Sequence, residues 1–129
     1  MVKINEKYQL RTFKDLIAWQ KSYELCRNVY LVSKEFPRSE LFGLTSQMKR
    51  SALSIPSNIA EGYTRPSTND YLRFLYIAYS SLAELETQLI LATDLNYLPK
   101  DKSSEIKQSQ MEVQRILLGL IKSLKSKIP

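Results

Sequence analysis

The scarcity of turn-forming residues sets the outer limit on what this chain can fold into. Only 3 glycines and 5 prolines occur among 129 residues. Tight turns depend on these residue types, so a fold of many short strands lacks its punctuation. Between the breakers lie four long stretches in which apolar residues recur every three or four positions. That spacing is the signature of amphipathic helices.

The first helix is predicted over about 15–36, with Ala18, Trp19, Ser22, Tyr23, Leu25, Cys26, Val29, Tyr30 and Phe36 on one broad face. Thr12 and Asp15 are its candidate start signals. "FP" at 36–37 stops it, because the residue before a proline is pushed out of the helical region. The second runs over about 40–64, with Ser39 as N-cap and Leu44, Met48, Ala52, Ile55, Ile59 and Gly62 as its stripe. The third starts at Ser67, which with Asp70 resembles a capping box, and continues to about 96. It carries two stripes. Tyr71, Leu75, Ala78, Leu82, Leu85, Leu89 and Ala92 form the main one; Leu72, Tyr76, Tyr79, Ala83 and Ile90 form a second. The fourth covers about 102–126, capped by Asp101 or Ser103, with Ile106, Val113, Leu117, Leu120 and Leu124 in line and Ile116 and Ile121 beside them.

Short connections between long helices make sequential helices antiparallel neighbours. The predicted fold is therefore all-α: an up-down-up-down antiparallel four-helix bundle over residues 13–126, after an N-terminal arm (1–12) and before a short tail (127–129). A chain of this length suits one hydrophobic core.

The segment "SALSIPSNIAEGYTR" interrupts the simple pattern. Pro56 removes a backbone donor and its ring clashes with the Ala52 carbonyl. A continuous helix two, kinked near Pro56, is expected, since a fresh start there would make Ile55 a poor cap. On the wheel, Gln47, Arg50, Ser51, Ser54, Asn58, Glu61 and Arg65 form one polar stripe. Two readings compete. Glu61, with Glu86 facing it from helix three, could support acid–base work or a metal. Against this, the chain has no histidine, the commonest base and ligand, and one cysteine, Cys26. Di-metal helical bundles also use Glu-x-x-His pairs. The structural reading is a register-fixing polar network of Arg50, Ser54, Asn58, Glu61, Arg65 and Glu86, in which a buried carboxylate needs a partner. No catalytic residue, metal or cofactor is expected, and Cys26 reads as a small core residue.

Formal net charge is +6. Residues 66–99 carry a net −3, so the rest of the chain holds +9. Basic surfaces of this kind suit nucleic acid. Candidate phosphate contacts are Lys49, Arg50, Arg65, Lys122, Lys125 and Lys127. No RNA-recognition, KH or zinc-knuckle signature is present, so such binding would be carried by phosphates. No apolar run approaches the ~20 residues of a membrane span, and "MVKINEKYQL" lacks the apolar block of a signal peptide. A cytoplasmic protein without membrane contact is expected. The second stripe of helix three exceeds what a monomeric bundle buries, which points to self-association. The alternative is a protein-interaction scaffold without nucleic-acid binding.

With "FP" at 36–37, "GLTSQMKR" at 43–50, "SIPSNIAEG" at 54–62 and "YLRFLYIAYSSLAELETQL" at 71–89, the chain resembles a bacterial four-helix-bundle family. Its members are encoded within intervening sequences of 23S ribosomal RNA genes and are sometimes labelled ribosomal protein-like. The resemblance spans about residues 13–98. A related group is the accessory variability protein of diversity-generating retroelements. That link implies a homo-oligomer, a pentameric barrel of bundles with a basic surface, which binds RNA or DNA and a reverse transcriptase. Ser80 departs from the family, where glycine is expected. The family supplies no enzymatic residues to transfer.

Overall fold

The computed structural model describes residues 12–128. The N-terminal arm expected at 1–12 lies outside the described residues apart from Thr12, as does residue 129. Four helices carry the fold: α1 (Ile17–Ser33), α2 (Leu44–Tyr63), α3 (Thr68–Asp94) and α4 (Lys100–Lys125). Short 3-10 turns occupy Phe13–Asp15 and Arg38–Glu40, and no strand occurs among the described residues.

The helices pack as a ring, α1 on α2, α2 on α3, α3 on α4 and α4 on α1. The short connections make this the expected antiparallel four-helix bundle. The α1–α2 and α3–α4 connections share one end, here the head; the α2–α3 connection, the start of α1 and the end of α4 share the other, the foot. With 27 residues, α3 is about 40 Å long at 1.5 Å per residue.

The core follows the apolar stripes. Leu25 and Val29 of α1, Met48, Ala52, Ile55 and Ile59 of α2, Leu75, Ala78, Leu85 and Ala92 of α3, and Val113 and Leu117 of α4 have no exposed surface. In α4 the buried row passes through Ile121 rather than Leu120, which is only partly buried.

Helix ends are where the expectations shift. Thr12 and Asp15 do mark the start: Lys14 N donates to Thr12 Oγ1 at 2.9 Å, and Thr12 N to Asp15 Oδ2 at 3.2 Å. This box caps a 3-10 turn, and α1 begins at Ile17, two residues later than expected. Ser67 caps α3 by accepting from Asp70 N at 3.0 Å.

Ser39 does not cap α2. It lies inside the Arg38–Glu40 turn, and α2 begins at Leu44. Glu40 reaches forward instead, accepting from Leu44 N at 3.1 Å through Oε1. A Cβ on Gly43 would lie 2.8 Å from that oxygen, so a glycine there leaves room for the cap. Neither Asp101 nor Ser103 caps α4, which follows Pro99 without a side-chain cap. Asp101 sits in the first turn, where its charge suits the helix dipole.

Pro56 is buried inside a continuous α2 and does not open a fresh helix. Asn58 Nδ2 bonds the Ser54 carbonyl at 2.8 Å rather than that of Ala52.

Candidate functional site

The polar stripe of α2 divides into two groups. Around its middle, Asn58 Nδ2 donates to Ser54 Oγ at 2.9 Å, and Ser54 Oγ lies 2.8 Å from Ser81 Oγ on α3. This hydroxyl pair joins α2 to α3 between small side chains. At the foot, Arg65 donates to Glu61 Oε2 at 2.8 Å. The same guanidinium lies 4.6 Å from the ring centre of Phe74, as does that of Arg73. Such stacking favours a cation over an aromatic face.

Arg50 and Glu86 join neither group. Arg50 is exposed, with no ion pair among the described residues. Glu86 is exposed at a cleft between α3 and α4, beside Leu89, Thr93, Ser103, Lys107 and Gln110. The two glutamates are far apart. A Cβ on Gly62, next to Glu61, would lie 2.8 Å from Phe74 Cβ. Phe74 and Glu86 are twelve residues apart along α3, or about 18 Å of helix. The paired-carboxylate arrangement is therefore not formed. Among the described residues, no group of three or more His, Cys, Asp or Glu could hold a metal.

Burial shifts the acidity of two groups, Cys26 and Tyr71. Burial pushes the Cys26 thiol up, away from the reactive thiolate. Burial, then the nearby Tyr63, pushes the Tyr71 phenol up to about 12, and its hydroxyl has no hydrogen-bond partner among the described residues.

The six candidate phosphate contacts do not form one patch. Lys122, Lys125 and Lys127 are exposed together at the foot, where α4 ends. Lys127 Nζ donates to Ser123 Oγ at 3.3 Å. Arg65 shares the foot but is held by Glu61 and Phe74. Lys49 and Arg50 lie fifteen or more residues up α2 from Arg65, about 22 Å away. Lys49 is partly engaged, 5.1 Å over the Tyr30 ring.

The second stripe of α3 also divides. Leu72 is buried in the monomer core and Tyr79 is half-buried against it. Tyr76, Ala83 and Ile90 remain outside, and with Ser80 and Thr87 they make an exposed, uncharged row at alternating spacings of four and three. Ile77, Leu91 and Leu95 widen it, each 40–47% exposed. A row of that spacing is the seam by which one helix packs along another. Sequence reasoning missed Leu41 and Phe42, which project at the head. The signal was there: two adjacent apolar residues between Pro37 and Gly43, outside any helical stripe.

Residues 14–119 match the family described as 23S rRNA-intervening sequence protein. The chain belongs to that family. A similar solved structure is the crystal structure of a protein of unknown function from the S23 ribosomal protein family of Bacteroides thetaiotaomicron VPI-5482, with a TM-score of 0.77, 26% identity, and coverage of 82% of this chain and 99% of that one. No curated protein matches. The matched span of this 23S rRNA-intervening sequence protein takes in the polar seam, the outer row of α3 and most of α4, but stops before the foot lysines. No described helix is long and apolar enough to cross a membrane.

Proposed function

We propose that this protein is a non-enzymatic, self-assembling helical bundle whose assembled foot binds RNA or DNA through phosphates. The observation that carries the reading is the uncharged row Tyr76–Ser80–Ala83–Thr87–Ile90, exposed on α3 at heptad-like spacing. Exposed apolar surface in such a row supports pairing with another helix. A cyclic arrangement of identical chains, a pentamer by resemblance, would turn every foot to the same side. Lys122, Lys125 and Lys127 of each copy then combine into one basic ring. Arg65 serves the fold, and Lys49 and Arg50 lie too far up α2 to join that ring. A reverse transcriptase as partner rests on resemblance alone.

Light scattering and RNA-binding anisotropy test the two parts. The native chain should run as a multimer that Ile90→Asp reduces to smaller species. It should bind labelled single-stranded and duplex RNA at 50 mM salt and lose most of that affinity by 200 mM, because released counterions drive phosphate binding. Lys122→Glu with Lys125→Glu should abolish binding with assembly intact. A strictly monomeric native chain defeats the assembly reading. An assembled chain that binds no RNA or DNA at 50 mM salt leaves a protein-interaction scaffold, which the engaged Arg65 and Lys49 already favour as the second reading.

A further inference from the structure

The head of the bundle carries an apolar feature that the outer row of α3 does not explain. Phe42 is 93% exposed and Leu41 is 51% exposed. The backbone that presents them is tied down: Leu41 N donates to Arg38 O and Gly43 N to Glu40 O, both at 3.0 Å. The Glu40 carboxylate is held between Leu44 N at 3.1 Å and the Tyr97 hydroxyl at 2.9 Å. With the backbone held in this way, docking costs little beyond the side-chain rotation of the ring itself. At the same end lies a hollow of about 520 Å³ lined by Leu31, Val32, Glu35, Tyr97, Leu98 and Pro99. Tyr97 connects the two features, since it walls the hollow and also binds Glu40.

We propose that the head is a self-complementary interface. The Leu41–Phe42 ridge of one copy seats in the Leu31–Tyr97–Pro99 hollow of a second copy, and the reverse, about a two-fold axis. A second copy fits better than a foreign protein because each chain offers both ridge and hollow at one end, so a two-fold makes the contact twice. One buried phenylalanine removes about 150–250 Å². With Leu41 and the matching wall, one insertion reaches on the order of 500–600 Å² in total, and two come to roughly 1,000–1,200 Å², the lower limit for a specific interface. The hollow also carries Lys102, which is engaged by Glu105 at 3.6 Å. Glu35 at the hollow and Arg38 beside the ridge are exposed without an ion pair among the described residues, so they are the opposite charges left to meet across the axis. This surface is separate from the α3 row and is tested separately.

The test uses the full chain with benzoylphenylalanine in place of Phe42, and sedimentation of Phe42→Ala, Ile90→Asp and the double variant. Irradiation should give adducts between chains that map to the peptides holding Leu31 and Tyr97–Pro99. Taken with the ring proposed above, this contact joins two rings head to head, each with its own foot face, so Phe42→Ala should halve the native assembly mass to that of one ring with helicity unchanged. Ile90→Asp alone should leave a dimer that the double variant dissociates. Unchanged mass in Phe42→Ala, adducts confined to one chain or to the α3 row, or adducts only with another protein would each overturn the proposal.

Discussion

Tyr71 shows how much one hydroxyl can matter in a core. It is 8% exposed, packs edge-on to Tyr63 with ring centres 6.2 Å apart, and among the described residues has no hydrogen-bond partner for its hydroxyl. An unpaired buried hydroxyl costs about 1–3 kcal/mol, so Tyr71→Phe should raise stability by about 1 kcal/mol in urea titration. The ordinary phenol ionises near pH 10, and burial pushes this one up to about 12. The folded state therefore holds the proton where the unfolded chain releases it. Its contribution is fully present below pH 10 and is lost as pH rises from 10 to 12. Denaturation curves across that window should show a decline that Tyr71→Phe reduces. Arg65 teaches the converse. The sequence offered Arg65 both to the polar network and to phosphate; its bond to Glu61 at 2.8 Å and its stacking on Phe74 give it the structural partners of the first reading.

At the scale of elements, two glycines in helices play opposite parts. Gly62 lies where α2 meets α3, and a Cβ there would come within 2.8 Å of Phe74 Cβ and 3.2 Å of the Tyr71 carbonyl. One helix or the other must shift, so Gly62→Ala should destabilise by about 1–3 kcal/mol, the usual cost of overpacking. Gly119 is exposed in α4, with nothing within 4 Å of an added Cβ. There alanine removes only the entropy cost of glycine, and Gly119→Ala should stabilise by about 1 kcal/mol. Thermal melts of the two variants should move in opposite directions. Helix starts were legible where the cap is local: Thr12 and Ser67 lie within three residues of the amides or carboxylates they bind. The start of α2 was not, because Glu40 is held in place by Tyr97, 57 residues away.

For the whole molecule, the ring of four helices brings Lys122 and Lys125 of α4, with Lys127 just beyond it, to one end and leaves a long face of α3 uncovered. If the foot lysines act as a set, the logarithm of affinity should fall with that of salt at a slope of roughly −0.7 to −0.9 per phosphate neutralised, and Lys125→Glu should flatten it. The sequence by itself determined the number of helices, their antiparallel order and most of the core, because a 3.6-residue repeat and short connections are local and survive without coordinates. It also excluded histidine chemistry outright. The partition of side chains within a stripe was decided only by the tertiary structure. Leu72 and Ile90 share a helical row, yet Leu72 is covered by the bundle and Ile90 is 56% exposed. Glu61 and Glu86 both suited a polar site, but the antiparallel register of α2 and α3 sets them about 18 Å apart along the axis. Periodicity fixes which way a residue points from its own helix; only packing fixes what stands opposite it.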